Sequence, residues 1–183
     1  MPITPFHFGP GLAVKAVVPR SFSWSAFVAA QVIIDCETLY YILTRQYPLH
    51  REMHTLIGAT AAGLATGCLL TAIVRGVPRI DEWIGGRARS IRSEISTRGL
   101  VIGGLIGGAS HPLLDGMMHP DIRPFAPWTD SNPLLGVIGL GTLHLGCMIA
   151  GMAGVALLWM RSSREDGESA DGRAGAPMRN TLR

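Results

Sequence analysis

Long apolar runs separated by clusters of charge are the feature that most constrains the fold of this chain. Four runs approach or exceed the about 20 apolar residues that a helix needs to cross a bilayer. They span residues 22–43, 56–74, 100–118 and 134–160. A shorter run, 6–18, is closed by Pro19 and Arg20 and predicts a short first membrane helix. The pattern predicts an all-α polytopic integral membrane bundle with about four to five membrane segments, forming one domain over residues 1–160.

Composition and the placement of charge support a membrane environment. Charged residues make up 16% of the 183 residues, whereas soluble domains carry roughly a quarter. The net charge of +3 would also suit a nucleic-acid partner. However, the basic residues flank the apolar runs and form no basic face of their own. The predicted partner is therefore the lipid bilayer, and nucleic acid is excluded; the oligomeric state is left open.

The segment between the second and third long runs, residues 75–98, is rich in arginine. Its apolar residues recur at approximately helical spacing, which indicates an amphipathic segment at the membrane interface, interrupted at Gly85 and Gly86. Residues 161–183 are mostly small and charged, and they predict a disordered tail.

The arginines also predict an orientation. If five segments cross the membrane, the turn at Arg20, the segment 75–98 and the tail with Arg161 and Arg164 lie on one side. The positive-inside rule places that side in the cytoplasm. The N-terminus is then outside and the C-terminus cytoplasmic.

Glycine crowds the membrane runs, notably at residues 58–63, 103–108 and 136–154. In lipid, small residues let helices approach closely, and this contact drives helix association. No strand signal, GxGxxG motif or P-loop lysine accompanies these glycines, so a nucleotide-binding loop is not indicated. The glycines therefore predict close helix packing.

Polar and ionisable residues fall at the non-cytoplasmic ends of these predicted segments. A carboxylate near the centre of a membrane helix costs about 2.5–3.5 kcal/mol on insertion scales, so such residues need partners. Five separated pieces of sequence would meet in this one layer. Its members are His7, Asp35, Glu37, His50, Arg51, His54, His111, Asp115, His119 and Asp121.

The spacing of these residues along the sequence predicts which side chains share a helical face. His50 and His54 are four residues apart and share one face if the helix begins near Leu49. His111 and Asp115 show the same interval inside an apolar run. Imidazole and carboxylate together suit Zn²⁺, Mn²⁺ or Fe²⁺, and the sequence does not choose among these divalent ions.

Simpler roles exist for some of these residues. His7 could cap a helix or lie at the interface, and His50 and His54 could be interfacial histidines. Asp115 is the hardest to explain without a partner, because it lies within an apolar run. His144 lies away from the layer and suits a hydrogen bond in helix packing.

The order of these motifs resembles that of the LexA-regulated inner-membrane metal-dependent hydrolases. The matching stretches are Asp35-Cys36-Glu37, the segment 50–55 with His50, Arg51 and His54, and the segment 110–115 with Ser110, His111 and Asp115. The resemblance covers roughly residues 7–128. Three departures stand out: Glu37 replaces a second Asp, Thr38 replaces a following His, and the His-Arg motif is one residue shorter. The resemblance implies a metal-binding protein of the inner (plasma) membrane.

The leading hypothesis is a membrane metal-dependent hydrolase. The expected metal ligands, not all to one ion, are His7, Asp35, His50, His54, His111 and Asp115. Glu37 is the expected general base, and Arg51 or Arg123 the expected partner of a substrate phosphate. A site at headgroup depth predicts an amphiphilic ester or phosphoester substrate.

Two other classes of function stay open. The polar cluster could bind or pass ions or protons without catalysis. A transport path should continue across the membrane, whereas the cytoplasmic halves of the predicted helices are almost wholly apolar. A partner-binding role for the segment 75–98 would leave the His and Asp residues unexplained.

Overall fold

The protein is all-helical, as the sequence predicts. The computed structural model describes residues 5–77 and 94–174, with the side chains of the last helix described as far as Arg164. In this part of the chain there are five α-helices and two short 3-10 helices. The α-helices are α1 (Phe8–Val17), α2 (Trp24–Leu43), α3 (Leu56–Gly76), α4 (Thr97–Gly116) and α5 (Leu140–Ala174). The 3-10 helices are η1 (Pro5–His7) and η2 (Glu52–His54).

Three of the helices are long and apolar enough to cross a membrane: α2, α3 and the part of α5 up to Arg164. Between 22% and 39% of each span is buried inside the bundle, and the rest is a largely apolar surface. The exposed face of α5, for example, carries Leu145, Ile149, Met152 and Val155. An apolar surface of this extent needs lipid or another apolar partner to cover it.

Helix starts follow local capping chemistry. The hydroxyl groups of Ser23, Thr55 and Ser96 accept hydrogen bonds from backbone N–H groups in the first turns of α2, α3 and α4. Such caps satisfy donors that have no partner inside the helix. They explain why α2 and α3 begin within two residues of the predicted apolar runs.

The ends of the last predicted segment differ from the structure. Residues 134–139 form turns, with Gly136 at a φ of 72°, and α5 begins at Leu140 rather than at residue 134. The left-handed backbone at Gly136 cannot continue a helix. At the other end α5 continues past Met160 to Ala174. The rest of the predicted tail, 175–183, and most of the predicted amphipathic segment, 78–93, lie outside the described residues.

Helix α4 is the centre of the bundle and packs through glycine on two sides. An added Cβ at Gly103 or Gly107 would strike backbone oxygens of α2, at 2.2 and 2.7 Å. At Gly104 and Gly108 it would lie 2.2–2.3 Å from backbone oxygens of α3. The close approach predicted from the glycine-rich runs is therefore confirmed.

These contacts also give the directions of the helices. Gly103 packs against Ser23, and Gly107 packs against Phe27 one turn further along both helices, so α2 and α4 run parallel. Ala59 lies at Gly108 and Gly67 at Leu100, so α3 runs antiparallel to both. Because of these directions, the C-terminal ends of α2 and α4 and the N-terminal end of α3 meet at one end of the bundle.

Helices α1 and α5 form a parallel pair beside this core. Gly9 contacts the Cys147 carbonyl, and Gly154 contacts the backbone of Leu12 and Ala13. Further along the pair, the Arg161 guanidinium donates to the Ala16 carbonyl. His7 Nε2 lies 3.1 Å from Asp115 Oδ1, so the start of α1 lies at the same end of the bundle as the C-termini of α2 and α4.

The opposite end of the bundle is held by a separate polar contact. Buried Lys15 lies 2.5 Å from the Glu94 carboxylate and donates to the Phe22 carbonyl at 2.8 Å. Glu94 in turn accepts from the backbone N–H groups of Trp24 and Ser25, at 3.2 and 3.0 Å. A carboxylate is favourable at a helix N-terminus, so Glu94 ties the residues before α4 to the start of α2.

We expect Gly63→Ala to destabilise the bundle clearly. Its new Cβ would lie 2.2 Å from the Gly104 carbonyl oxygen and 2.9 Å from Gly108 Cα, so the backbones of α3 and α4 would have to separate. Overpacking of this kind typically costs about 1–3 kcal/mol. The matched control is Gly146→Ala on α5, where an added Cβ meets nothing within 4 Å. Thermal unfolding midpoints of the detergent-purified variants test this, and equal midpoints would contradict the packing.

Candidate metal centre

The polar residues singled out in the sequence meet at one end of the bundle. They come from η1, the C-terminal half of α2, the loop before α3, η2, the C-terminal end of α4 and the loop that follows it. All six predicted metal ligands are buried, namely His7, Asp35, His50, His54, His111 and Asp115. The expectation that separated pieces of sequence form one layer is met by the geometry.

Four of these residues form the core of the site. Asp35, His54, His111 and Asp115 each offer one ligand atom, and these atoms all lie within 4.8 Å of one another. His111 Nε2 is 3.4 Å from Asp35 Oδ1 and 3.3 Å from Asp115 Oδ2. His54 Nε2 is 4.0 Å from Asp115 Oδ2. Two imidazoles and two carboxylates therefore surround one small volume, and this arrangement could hold a divalent ion.

The outer nitrogens of the imidazole rings have partners of their own. His54 Nδ1 lies 3.0 Å from Glu37 Oε2, and His50 Nδ1 lies 3.0 Å from Asp121 Oδ1. His111 Nδ1 bonds to the side-chain oxygen of Gln31. An Nδ1–H that donates outward leaves Nε2 as the acceptor, with a lone pair directed away from that partner. Metal-ligating histidines almost always make such a bond with their other nitrogen.

Several inward atoms lack a hydrogen-bond partner within the described residues. They are both ring nitrogens of His7, His111 Nε2 and Asp115 Oδ1. His7 Nε2 does lie 3.1 Å from Asp115 Oδ1, but the two groups are not aligned for a hydrogen bond. A buried polar atom without a partner costs about 1–3 kcal/mol. A cation among these atoms would give them the partner that the described residues do not supply, so the donor set fits a divalent metal.

A second group adjoins the first. His50, Asp115 and His119 also offer three ligand atoms within 4.8 Å of one another. The His50 ring lies between two others, with centroids 4.6 Å from both His54 and His119. Asp115 thus belongs to both groups.

The electrostatics of the loop residues favour neutral imidazoles. Burial, assisted by the neighbouring His54, lowers the pKa of His50 despite the opposing Asp121. Burial also lowers the pKa of His119. Burial alone would raise the pKa of Asp121. The charge and hydrogen bond of His50, together with two backbone N–H groups, outweigh this effect, so the pKa is lowered overall. Neutral imidazole is the form that binds a metal ion.

The local reason predicted for the pairing of His50 with His54 is wrong, although the rings do meet. The helix does not begin near Leu49; α3 begins at Leu56, after the cap at Thr55. His50 lies in a loop and His54 ends η2. The loop is fixed instead by Asp121 Oδ2, which accepts from the backbone N–H groups of Leu49 and His50 at 3.0 and 3.3 Å.

Glu37 lies beside the site, and its carboxylate accepts three hydrogen bonds. Besides His54, it accepts from the backbone N–H groups of Arg51 and Met53, each at 3.1 Å. These three bonds join the end of α2 to the segment that carries His54. The carboxylate thus orients His54 and fixes the path of the chain before α3.

The two arginines predicted to receive a substrate phosphate lie at the edge of the site. The Arg51 guanidinium covers the Tyr41 ring at 3.8 Å and bonds to the Pro48 carbonyl and the Gln46 side chain, at 3.1 and 3.3 Å. Arg123 is half-exposed and pairs with Asp130 at 3.1 Å. Neither set of contacts directs the guanidinium toward the His and Asp core.

Some contributors were not assigned a role from the sequence. Gln31 is a polar residue within the apolar run of α2, one turn before Asp35, and this position is the signal that could have identified it. Thr38, also on α2, contributes as well, because its hydroxyl lies 3.3 Å from His54 Nε2. His144 stacks on Phe6 at 4.2 Å between centroids, in keeping with a packing role outside the cluster.

The chain was also compared with known proteins. No family model, curated protein or solved structure matches it. The structural case for function therefore comes from a buried His and Asp cluster, able to hold a divalent metal, at one end of a helical bundle with apolar, membrane-length helices.

Proposed function

We propose that this protein is a membrane-bound metal-dependent hydrolase, acting on a lipid-like ester or phosphoester. The observation that carries the proposal is the common orientation of three imidazoles. His50, His54 and His111 each use Nδ1 for a carboxylate or amide oxygen. Metal-ligating histidines almost always make such a bond with their other ring nitrogen, so three rings in this orientation support a metal centre.

The types of ligand atom in the cluster determine which class of metal ion it suits. Asp35, His54, His111 and Asp115 combine imidazole nitrogen with carboxylate oxygen, which suits Zn²⁺, Mn²⁺ or Fe²⁺. A divalent ion held by these residues supplies Lewis acidity and lowers the pKa of water toward neutrality. The two buried carboxylates would also be neutralised by its charge, and their cost in an apolar environment explains why they need it.

The residues of the chain would supply orientation and enclosure. Gln31, Glu37 and Asp121 fix the three rings through their Nδ1 atoms. The loop after α4 covers the site: its Ile122 is fully buried and its Pro124 carbonyl accepts from the Leu56 backbone N–H at 2.8 Å. A preorganised, sheltered set of donors makes electrostatic catalysis effective.

The proposed reaction adds water across an ester bond. The oxygen of water bonds to the acyl carbon or phosphorus, and the bond to the alcohol oxygen breaks. The proton lost by water ends on that leaving oxygen. Because the site lies at one end of membrane-length helices, an amphiphilic substrate could present its ester from the headgroup region. The inner-membrane location and the cytoplasmic C-terminus are part of this proposal and follow from the sequence pattern.

Ion or proton passage is the main alternative, and the packing argues against it. Between the site and the opposite end of the bundle, α3 and α4 are in backbone contact at Gly63 with Gly104 and at Gly67 with Leu100. The hydroxyls of Thr66 and Thr71 bond back to carbonyls of their own helix, at 2.8 Å each. Along this interface the described residues provide no chain of polar groups that a proton or ion could follow.

We expect detergent-purified wild-type protein to contain Zn, Mn or Fe in near-stoichiometric amount. We also expect it to hydrolyse a short-chain phosphatidylcholine or a long-chain p-nitrophenyl ester in mixed micelles. Chelation should abolish hydrolysis, and one of the three ions should restore it. Elemental analysis and a product assay on the same preparation test both parts.

The outcomes separate the alternatives. Bound metal without hydrolysis of either ester, together with metal flux in proteoliposomes, would favour ion passage over the hydrolase. Protein that stays metal-free after incubation with each ion would remove the basis of the proposal.

A further inference from the structure

Asp115 lies between two groups of candidate ligands, and its position suggests more than one ion. One group is Asp35, His54, His111 and Asp115, and the other is His50, Asp115 and His119. We infer that the site holds two divalent cations bridged by the Asp115 carboxylate, the second cation being bound with His50 and His119. This inference rests on the proposed metal-dependent function and adds a second ion and the ligand His119 to it.

The two oxygens of Asp115 already point to different partners. Oδ2 lies 3.3 Å from His111 Nε2 and 4.0 Å from His54 Nε2, on the side of the first group. Oδ1 lies 3.1 Å from His7 Nε2 and has no hydrogen bond within the described residues. An Asp115 oxygen also lies within 4.8 Å of ligand atoms of both His50 and His119, so the carboxylate can bridge two ions, which lie about 3.5–4 Å apart in two-metal sites.

His50 is prepared for the second ion in the same way as His54 and His111 are for the first. Its Nδ1 is bonded to Asp121 Oδ1 at 3.0 Å, which leaves Nε2 as the acceptor. Asp121 itself is held in place by the backbone N–H groups of Leu49 and His50. A carboxylate, a histidine and a metal in series is the usual arrangement at such sites.

His119 completes this second group from the loop after α4. Its backbone N–H donates to the Asp115 carbonyl at 2.9 Å, and its carbonyl accepts from Asn132 Nδ2 at 3.1 Å. Its ring lies beside that of His50, with centroids 4.6 Å apart. These contacts keep the ring of a loop residue next to Asp115 and His50.

The charges around the site also fit two ions better than one. The side chains of four carboxylates here are no more than 10% exposed, namely Asp35, Glu37, Asp115 and Asp121. With neutral imidazoles, one divalent cation would leave two negative charges uncompensated in a buried environment, which is costly. The Arg51 guanidinium is engaged with Tyr41 and Gln46. Two divalent cations would balance all four carboxylates.

The test is a Mn²⁺ titration of chelator-treated, full-length protein in detergent, followed by electron paramagnetic resonance. We expect the wild type to bind about two Mn²⁺ per chain and to give the spectrum of a spin-coupled pair, because ions about 4 Å apart interact magnetically. His119→Ala should bind one Mn²⁺ per chain and give the spectrum of an isolated ion. Retention of that ion shows that the variant is folded. The matched control is His144→Ala, which removes a histidine outside both groups.

Other results would overturn the inference in distinguishable ways. Wild-type protein that saturates at one uncoupled Mn²⁺ would exclude the second ion and leave the proposed metal-dependent function standing. Two coupled ions in His119→Ala would exclude His119 as a ligand. Wild-type protein that binds no Mn²⁺, Zn²⁺ or Fe²⁺ would overturn both the second ion and the proposed function.

Discussion

Replacing Asp115 with asparagine should reduce the divalent-metal content of the purified protein to background. The Asp115 carboxylate is common to both ligand groups and lies within 4.0 Å of His7, His54 and His111. Asparagine keeps the shape of the side chain but loses the charge that would attract a cation. Changes to residues behind metal ligands already weaken affinity by about 10–100-fold, so loss of the shared carboxylate should exceed about 100-fold. Competition with a chelating dye measures this affinity directly.

The control for this variant is Asp130→Asn. Asp130 is an exposed carboxylate in the loop beyond α4, paired with Arg123 at 3.1 Å, and it belongs to neither ligand group. The Asp130→Asn substitution removes one negative charge from the same end of the bundle, as Asp115→Asn does. If Asp115→Asn binds metal as tightly as Asp130→Asn does, the buried cluster is not the metal centre.

Much of the fold follows from the sequence because membrane helices are specified by local properties. The apolar runs and the caps at Ser23 and Thr55 give α2 and α3 nearly at their observed bounds. The glycines predict the backbone contacts of α4. Alternation of direction along the chain is enough to place the predicted polar residues in one layer, even though α1 is only ten residues long.

The parts that sequence could not give depend on contacts between distant residues. The pairing of His50 with His54 arises from a loop held by Asp121, which is about seventy positions away along the chain. The same is true of Gln31 and His111, which meet only because α2 and α4 run parallel. Periodicity within one segment carries no information on such pairs, so the sequence predicts the candidate ligands more readily than the residues that orient them.

The role of Glu37 is where sequence and structure suggest different chemistry, and one substitution separates them. The sequence suggested a general base. In the structure its carboxylate accepts from His54 Nδ1 at 3.0 Å and from the backbone N–H groups of Arg51 and Met53. A carboxylate so engaged is suited to orienting His54. If it does, Glu37→Gln should weaken metal affinity by about 10–100-fold, and hydrolysis should largely recover at saturating metal.

A general base gives the opposite pattern in the same experiment. Metal affinity would stay near the wild-type value, while kcat at saturating metal would fall by about 100-fold or more, since general-base catalysis contributes about 10²–10⁴-fold. Glu52→Gln is the matched control, because Glu52 is an exposed residue of η2 whose hydrogen bonds within the described residues are made by its backbone carbonyl. Metal titrations and kcat for the two variants therefore decide whether Glu37 acts on His54 or on water. The hydrogen bond to His54 Nδ1 and the two backbone N–H groups that hold the carboxylate favour a role in orienting His54.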